Sequence, residues 1–189
     1  MIVITPPATE PVTLAEMKAQ IGIPTGNTAS DTIITRRITE ARQWCENFTD
    51  RAFITQTREI RFDKFQDEFR LPSASAVVSL KYVDINGTVI TLTATDYVLD
   101  TYDRIPFVRL AYGSVWPPIR DERNAVRIQY TAGYGAAAAV DPLIKEAVML
   151  LVGHWMNFQP QSENGMIMSH VPKPIERLLN DFVIEHYQL

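Results

Sequence analysis

Three histidines, one cysteine and a scatter of carboxylates are the side chains of this 189-residue sequence suited to nucleophilic, acid–base or metal chemistry. Their spacing gives them little to work with. A nucleophile needs a base within hydrogen-bond reach, and a zinc site needs several Cys, His or carboxylate ligands converging at short spacing. Cys45 falls on the apolar stripe of a helical pattern, where a free thiol serves as a small hydrophobe. His154 lies beside an apolar helix face with no histidine or carboxylate at ligand spacing, and His170 and His186 read as surface residues. Gly133-Tyr134-Gly135 follows a strand and precedes a helix, as a phosphate-binding loop does. It lacks both the Lys-Ser/Thr of a P-loop and the third glycine of a dinucleotide fingerprint, so it reads as a turn. Asp63, Asp67 and Glu68 are interleaved with Lys64 and Arg70, the pattern of a solvated loop. The residues assign no catalytic group, no cofactor and no metal.

Phosphate binding is the next chemistry to ask about. Arg36, Arg37 and Arg42, then Arg51, Arg58 and Arg61, form the densest basic stretch, but Glu40, Glu46, Asp50 and Glu59 run through it. That mixture weakens a phosphate-tracking field, and a net charge of −4 excludes a surface that is cationic throughout. No zinc-finger or RNA-recognition signature accompanies the arginines, and the turn between the first two helices is too long for a helix-turn-helix. Trp116-Pro117-Pro118, with Tyr112 and Gly113 just before, makes an aromatic and proline corner, expected as a rigid loop under or beside a sheet.

These residues sit on an ordinary globular frame: 46% apolar, 21% charged, of a length that suits one domain with an insertion. A single cysteine cannot form an internal disulfide. Ile2 to Ile4 run at once into Pro6 and Pro7 without a secretory pattern, so the chain is expected in a reducing cytoplasm. Its longest apolar stretch falls well short of the roughly 20 residues that span a bilayer, so no membrane partner is expected.

The fold class expected is α+β: a helical bundle core with a mostly antiparallel β subdomain inserted between the second and third main helices. Residues 11–50 hold the first two helices. Thr13 and Glu16 make a capping box for the first, Ser30 is placed to cap the second, and Ile34, Ile38, Ala41, Cys45 and Phe48 stripe its buried face. Arg42 and Glu46 are expected on its solvated side, in i,i+4 reach. Residues 51–135 read as short alternating strands, with Ile54, Ile60 and Phe62 on one parity and Asn86-Gly87 marking a hairpin. Asp141-Pro142 opens a core helix over 141–158 whose stripe is Ile144, Val148, Leu151, Trp155 and Phe158. No charge follows Glu146 until Glu163, so this helix is apolar nearly all round. Such a helix is buried on more than one side. Leu143, Leu150, His154 and Trp155 are the expected subunit-interface residues. Residues 159–189 read as a polar loop, a last helix and a docking arm carrying Phe182, Val183, Ile184, Tyr187 and Leu189.

Several blocks, in order, resemble a known family. They are Pro11-Val12-Thr13-Leu14-Ala15-Glu16-Met17-Lys18, Phe48-Thr49-Asp50-Arg51-Ala52-Phe53-Ile54-Thr55-Gln56-Thr57, Arg70-Leu71-Pro72 and Ala111-Tyr112-Gly113-Ser114-Val115-Trp116-Pro117. Ala125 to Gly135 (AVRIQYTAGYG), Pro142-Leu143-Ile144-Lys145-Glu146-Ala147 and Leu150-Leu151-Val152-Gly153-His154-Trp155 complete the set. The sequence resembles the head–tail connector (adaptor, or head completion) proteins of tailed phages and prophages, in the branch with a β insertion. Asp50 stands where that family often has glycine, and the end after residue 179 is longer than usual. The resemblance implies a non-enzymatic virion protein: a ring of about twelve copies docked under the portal, extending the DNA channel and receiving the next neck or tail-completion protein. Its partners would be itself, the portal, that downstream protein and genomic duplex DNA passing non-specifically. Its place would be the virion neck, and the host cytoplasm during assembly. The arm at 180–189 is expected to meet the portal. The alternative is a DNA-packaging factor that grips duplex through Arg36, Arg37, Arg42 and Arg51.

Overall fold

The structure, a computed structural model, describes residues 1–157 and 172–184. Phe158, the loop expected over 159–170, His170, His186, Tyr187 and Leu189 lie outside the described residues. Among the described residues the protein is mixed α/β, with four α-helices and antiparallel sheets. The chain divides into two compact units: Met1–Ala8 with Thr55–Tyr134, and Thr9–Ile54 with Gly135–Leu189.

The first unit is all β. Strands β1 (Ile2–Thr5), β2 (Gln56–Phe62), β4 (Ala74–Val83), β5 (Val89–Thr91) and β8 (Val126–Ala132) form one sheet in the order β1-β2-β8-β4-β5. Strands β3 (Glu68–Arg70), β6 (Tyr97–Asp100) and β7 (Phe107–Leu110) form a second, ordered β3-β7-β6. Central β8 shows the period-2 rule directly, burying Val126, Ile128, Tyr130 and Ala132 in alternation. The Asn86-Gly87 turn is a three-residue loop rather than a two-residue one. The Gly87 N–H donates to the Asp84 carbonyl at 3.0 Å, and Gly87 takes φ +87°, the left-handed residue of a bulged hairpin. The Asp84 carboxylate also accepts the N–H groups of Asn86 (2.9 Å) and Thr88 (2.7 Å). Hydrogen bonding, led by the Thr88 N–H, holds that carboxyl below its ordinary range.

The N-terminal residues add a strand that the sequence did not mark: residues 2–5 pair with β2, Ile2 opposite Glu59 and Val3 opposite Arg58. On β2 the parity of Ile60 and Phe62 is the better-covered one, as expected, with Gln56 and Arg58 buried and Ile60 and Phe62 half-buried; what the alternation did not show is that Glu59, on the other parity, is buried as well. The reason is position. With β1 on one side and β8 on the other, β2 is an interior strand, and the Glu59 carboxylate finds partners on neighbouring residues. Glu59 accepts from Gln129 directly across the ladder at 2.8 Å and from Arg61 at 2.6 Å. Burial pushes the Glu59 carboxyl up, but these hydrogen bonds and the Arg61 and Arg127 charges outweigh it and hold it low.

The second unit is helical: α1 (Leu14–Gln20), α2 (Asp31–Thr49), α3 (Pro142–Asn157) and α4 (Lys173–Asn180). The capping box forms, with the Thr13 side chain accepting the Glu16 N–H and Glu16 accepting the Thr13 N–H at 2.7 Å. Those Thr13 bonds hold the Glu16 carboxyl below its usual value. Asp141 also caps as expected, accepting the Leu143 N–H at 2.8 Å. Ser30 occupies the N-cap position of α2 but makes no side-chain capping bond, because its backbone is not in the extended conformation that aims the hydroxyl at the helix. Ile34, Ile38, Ala41 and Cys45 of α2 pack with Ile144, Ala147, Val148 and Leu151 of α3, while Phe48 is half-buried and stacks on Trp44 at 5.2 Å.

Arg42 and Glu46 form their i,i+4 pair at 2.8 Å, but not on a solvated face: they are 5% and 6% exposed. Flanking chain covers them from both directions. Glu10 of the arm accepts from Arg42 Nε at 2.7 Å and from Thr39 at 2.9 Å, and the far oxygen of Glu46 accepts the Phe53 N–H at 2.8 Å. Between them, Asp50 closes α2 in the left-handed conformation (φ +52°, ψ +29°), its N–H bonded to Glu46 O. That geometry explains a glycine-preferring position, and aspartate is one of the few other residues that tolerates it.

Candidate assembly surface

On α3, Leu143, Leu150 and His154 stand seven and four residues apart, which places them on one helix face. Leu143 and Leu150 are exposed and His154 is partly so. A groove of about 480 Å³ opens beside them, lined by Gln20, Ile21, Met149, Leu150, Gly153, His154 and Asn157. A Cβ added at Gly153 would meet nothing within 4 Å, so the glycine leaves this groove open. Trp155 is separated from the others. It packs against the helical core and lies under the Arg37 guanidinium, 5.8 Å from ring centroid to Cζ. Gln20, Ile21 and Gly153 were not singled out by the sequence; a glycine within an apolar helix was the available signal.

The start of the C-terminal arm is already engaged. The Ile184 N–H donates to Thr49 O at 3.0 Å, Arg51 Nε donates to Phe182 O at 2.6 Å, and Ile184 is buried. Phe182 and Val183 are half-buried. Tyr187 and Leu189 lie outside the described residues.

The arginines of the DNA-gripping alternative are also occupied. Arg36 and Arg37 both pair with Glu40, at 3.5 and 2.8 Å, Arg42 is buried between Glu10 and Glu46, and Arg51 serves Phe182. Of the other chemistry-bearing groups, Cys45 is buried and its thiol is pushed up to about 12 by burial, with the nearby Glu46 charge adding to it. Asp63 spends its carboxylate on the Asn124 N–H at 2.8 Å. Gly133 and Gly135 both take left-handed φ, as a turn requires. Among the described residues no group of three or more His, Cys, Asp or Glu is placed to hold a metal, and no helix is long and apolar enough to cross a membrane.

Comparison with known proteins supplies the family. Residues 11–167 match the head completion protein family, a span that takes in both units and the whole of α3. The chain belongs to the head completion protein family. Its role is therefore structural and not enzymatic. Solved structures share the fold of this head completion protein over nearly its full length. A chain from the neck of an empty gene transfer agent (GTA) particle, computed with C6 symmetry, matches with TM-score 0.78 and 22% identity, covering 100% of this chain and 98% of the other. A chain from the neck of a native GTA particle, computed with C12 symmetry, matches at 0.74 and 20%, covering 100% and 98%. One from the virion of a native GTA particle gives 0.74 and 20%, covering 98% and 97%. No curated protein matches the chain.

Proposed function

We propose that this head completion protein assembles as a ring of about twelve copies below the portal, where it joins the DNA-filled head to the neck and tail and extends the DNA channel. Its place is then the virion neck. The observation that carries the reading is the family match over residues 11–167, together with a core helix that turns Leu143, Leu150 and a groove to solvent. Neck particles solved with six- and twelve-fold symmetry contain chains of this fold, which supports a ring. Rings are heterologous assemblies: one patch meets a different patch on the next copy. In this reading the α3 face with Leu143, Leu150 and His154 is one such patch, and Trp155 backs it from the core side. The architecture is a helical bundle core carrying an inserted β subdomain, a reading supported by the chain leaving the helical unit after Ile54 and returning at Gly135. The arm docks on the portal, with Phe182, Val183 and Ile184 as its anchored base and Tyr187 and Leu189 as its contacts. A neutral charge balance along the channel lets duplex slide, since phosphate contacts hold DNA in register; the downstream face receives a neck or tail-completion protein.

The test is the mass of the protein by sedimentation, alone and mixed with its portal. A stoichiometric portal complex is expected. Two variants sharpen it. Gly153→Phe puts a ring into the groove from a position where an added Cβ meets nothing within 4 Å, and should cut ring yield at least tenfold at unchanged melting temperature. Removing residues 185–189 leaves every described contact in place and should abolish portal capture. A protein indifferent to its portal sinks the connector reading, and normal assembly by either variant removes the corresponding surface from it. Among the described residues no contact favours direct gripping of DNA, since all four arginines it needs have partners.

A further inference from the structure

We infer that the outer edges of β1 and β5 pair with one another between neighbouring copies, so that the five-stranded sheet of one subunit continues into the next. The inference rests on the ring reading above. Strands β1 and β5 are the two ends of that sheet. On β1, Ile2, Val3 and Ile4 are 50%, 49% and 46% exposed, and on β5 Val89 is 50% exposed. No charged side chain occurs between Met1 and Glu10, and none between Asp84 and Asp96. Open strand edges are usually blunted by charge because their free N–H and C=O groups recruit other strands. The second sheet of the same unit follows that rule: edge strand β3 sets Glu68 and Arg70 on either side of Phe69, and edge strand β6 ends in Asp100. The first sheet leaves both end strands without a charged side chain.

The free groups on β5 are identifiable. Asp84 N–H donates to Thr88 O and Leu92 N–H to Leu80 O, with Ile90 opposite Tyr82 between them. In an antiparallel ladder bonded pairs alternate, so Ile90 turns its backbone groups to β4, and Val89 and Thr91 turn theirs outward.

A second copy is the occupant these edges fit. The two edges are similar, β-branched and short: IVIT, stopped by Pro6 and Pro7, against VIT. Four successive antiparallel pairings separate β1 from β5, so both strands run in the same direction. Neighbours in a twelve-fold ring differ by a rotation of about 30°, which turns a strand by no more than that angle, so a β5 edge that meets the β1 edge of the next copy forms a parallel pair with it. A junction of three or four residues covers far less than the roughly 1,000 Å² that a stable pair needs. The occupant must therefore bring other contacts, as a second copy does through its α3 face.

The full-length chain tests this, since its own Cys45 is buried. Cysteine is placed at Ile2, Val3 or Ile4 together with Val89 or Thr91, each variant is assembled on the portal, and the rings are oxidised and run unreduced on a denaturing gel. A ladder of covalent multimers is expected in at least one register. Monomer at every register, in rings of normal mass, overturns the inference and leaves the connector reading standing. A cross-link to the portal instead assigns the edge to that protein and overturns it too. Failure of the unsubstituted chain to join the portal overturns both. As a second arm, Val3→Lys with Val89→Lys should lower ring yield at least tenfold, and Val3→Lys with Val89→Glu should restore it. Equal, undiminished yields from both pairs overturn the inference.

Discussion

The helical unit and the β unit each have irregular chain to hold down, and they do it with opposite chemistry. In the helical unit a buried guanidinium does the work: Arg42 links Glu10 of the arm to Glu46, and Glu46 accepts the Phe53 N–H, so one ion cluster on α2 ties the chain before α1 and the chain after α2. In the β unit the long loop before β8 is held by rings. Trp116 stacks on Phe65 at 4.5 Å with planes 7° apart and meets Phe69 edge-on at 5.8 Å, while Phe65 also leans on Tyr82. The two devices fail differently. A buried charge that loses its partner is left uncompensated in a poor solvent, whereas an aromatic stack that loses a ring leaves space that can partly collapse.

That contrast can be broken by substitution. Glu46→Ala leaves Arg42 with Glu10 alone and removes the acceptor of the buried Phe53 N–H, and should cost about 3 kcal/mol in chemical denaturation. A loss below about 1 kcal/mol would mean that the cluster is dispensable and the comparison unsound. Trp116→Ala should cost less, about 2 kcal/mol, because the ring is only half-buried and the loop relaxes into the gap. Equal losses for the two would erase the distinction.

The smallest effect comes from acid, and it reverses the order. Glu59 and Asp84 of the β unit and Glu16 of the helical unit all have carboxyl groups held below their ordinary values of 4.5, 3.8 and 4.5. A depressed group stabilises the fold fully above its unfolded value, and that stability is lost as pH falls through the folded one. Amide exchange between pH 5 and pH 2.5 should therefore show protection falling more across β2 and the β4–β5 hairpin than across α1. Larger loosening of α1 would count against the assignment.

How much of this was legible in the sequence depended on whether a pattern was local. The capping box at Thr13 and Glu16, the Asp141-Pro142 start of α3 and the Asn86-Gly87 turn are each written within four residues, and each formed. The pairing of β1 was invisible because its partner lies more than fifty residues away, and composition there showed only two prolines. Arg42 and Glu46 looked solvated for the same reason: the pair is local, but the chain that buries it, from Glu10 and from Phe53, is not. On β2 the alternation gave the better-covered face but not the burial of Glu59, which a cross-strand partner, Gln129, makes tenable. For the proposed assembly surface, the charge-free run of α3 was the usable signal. It placed Leu143 and Leu150 on an open face, but it could not separate Trp155, which belongs to the core beneath Arg37.

The distribution of ring systems also gives this protein built-in optics. Of its three tryptophans, Trp116 is alone in the β unit, and Trp44 and Trp155 belong to the helical unit. Trp116 lies against Phe65, Trp44 against Phe48, and Trp155 beneath a guanidinium, three surroundings that differ in polarity. Emission from a chain carrying Trp116→Phe therefore reports on the helical unit alone, and the difference from the parent spectrum reports on the β unit. The melting of each half becomes separately visible without any added dye.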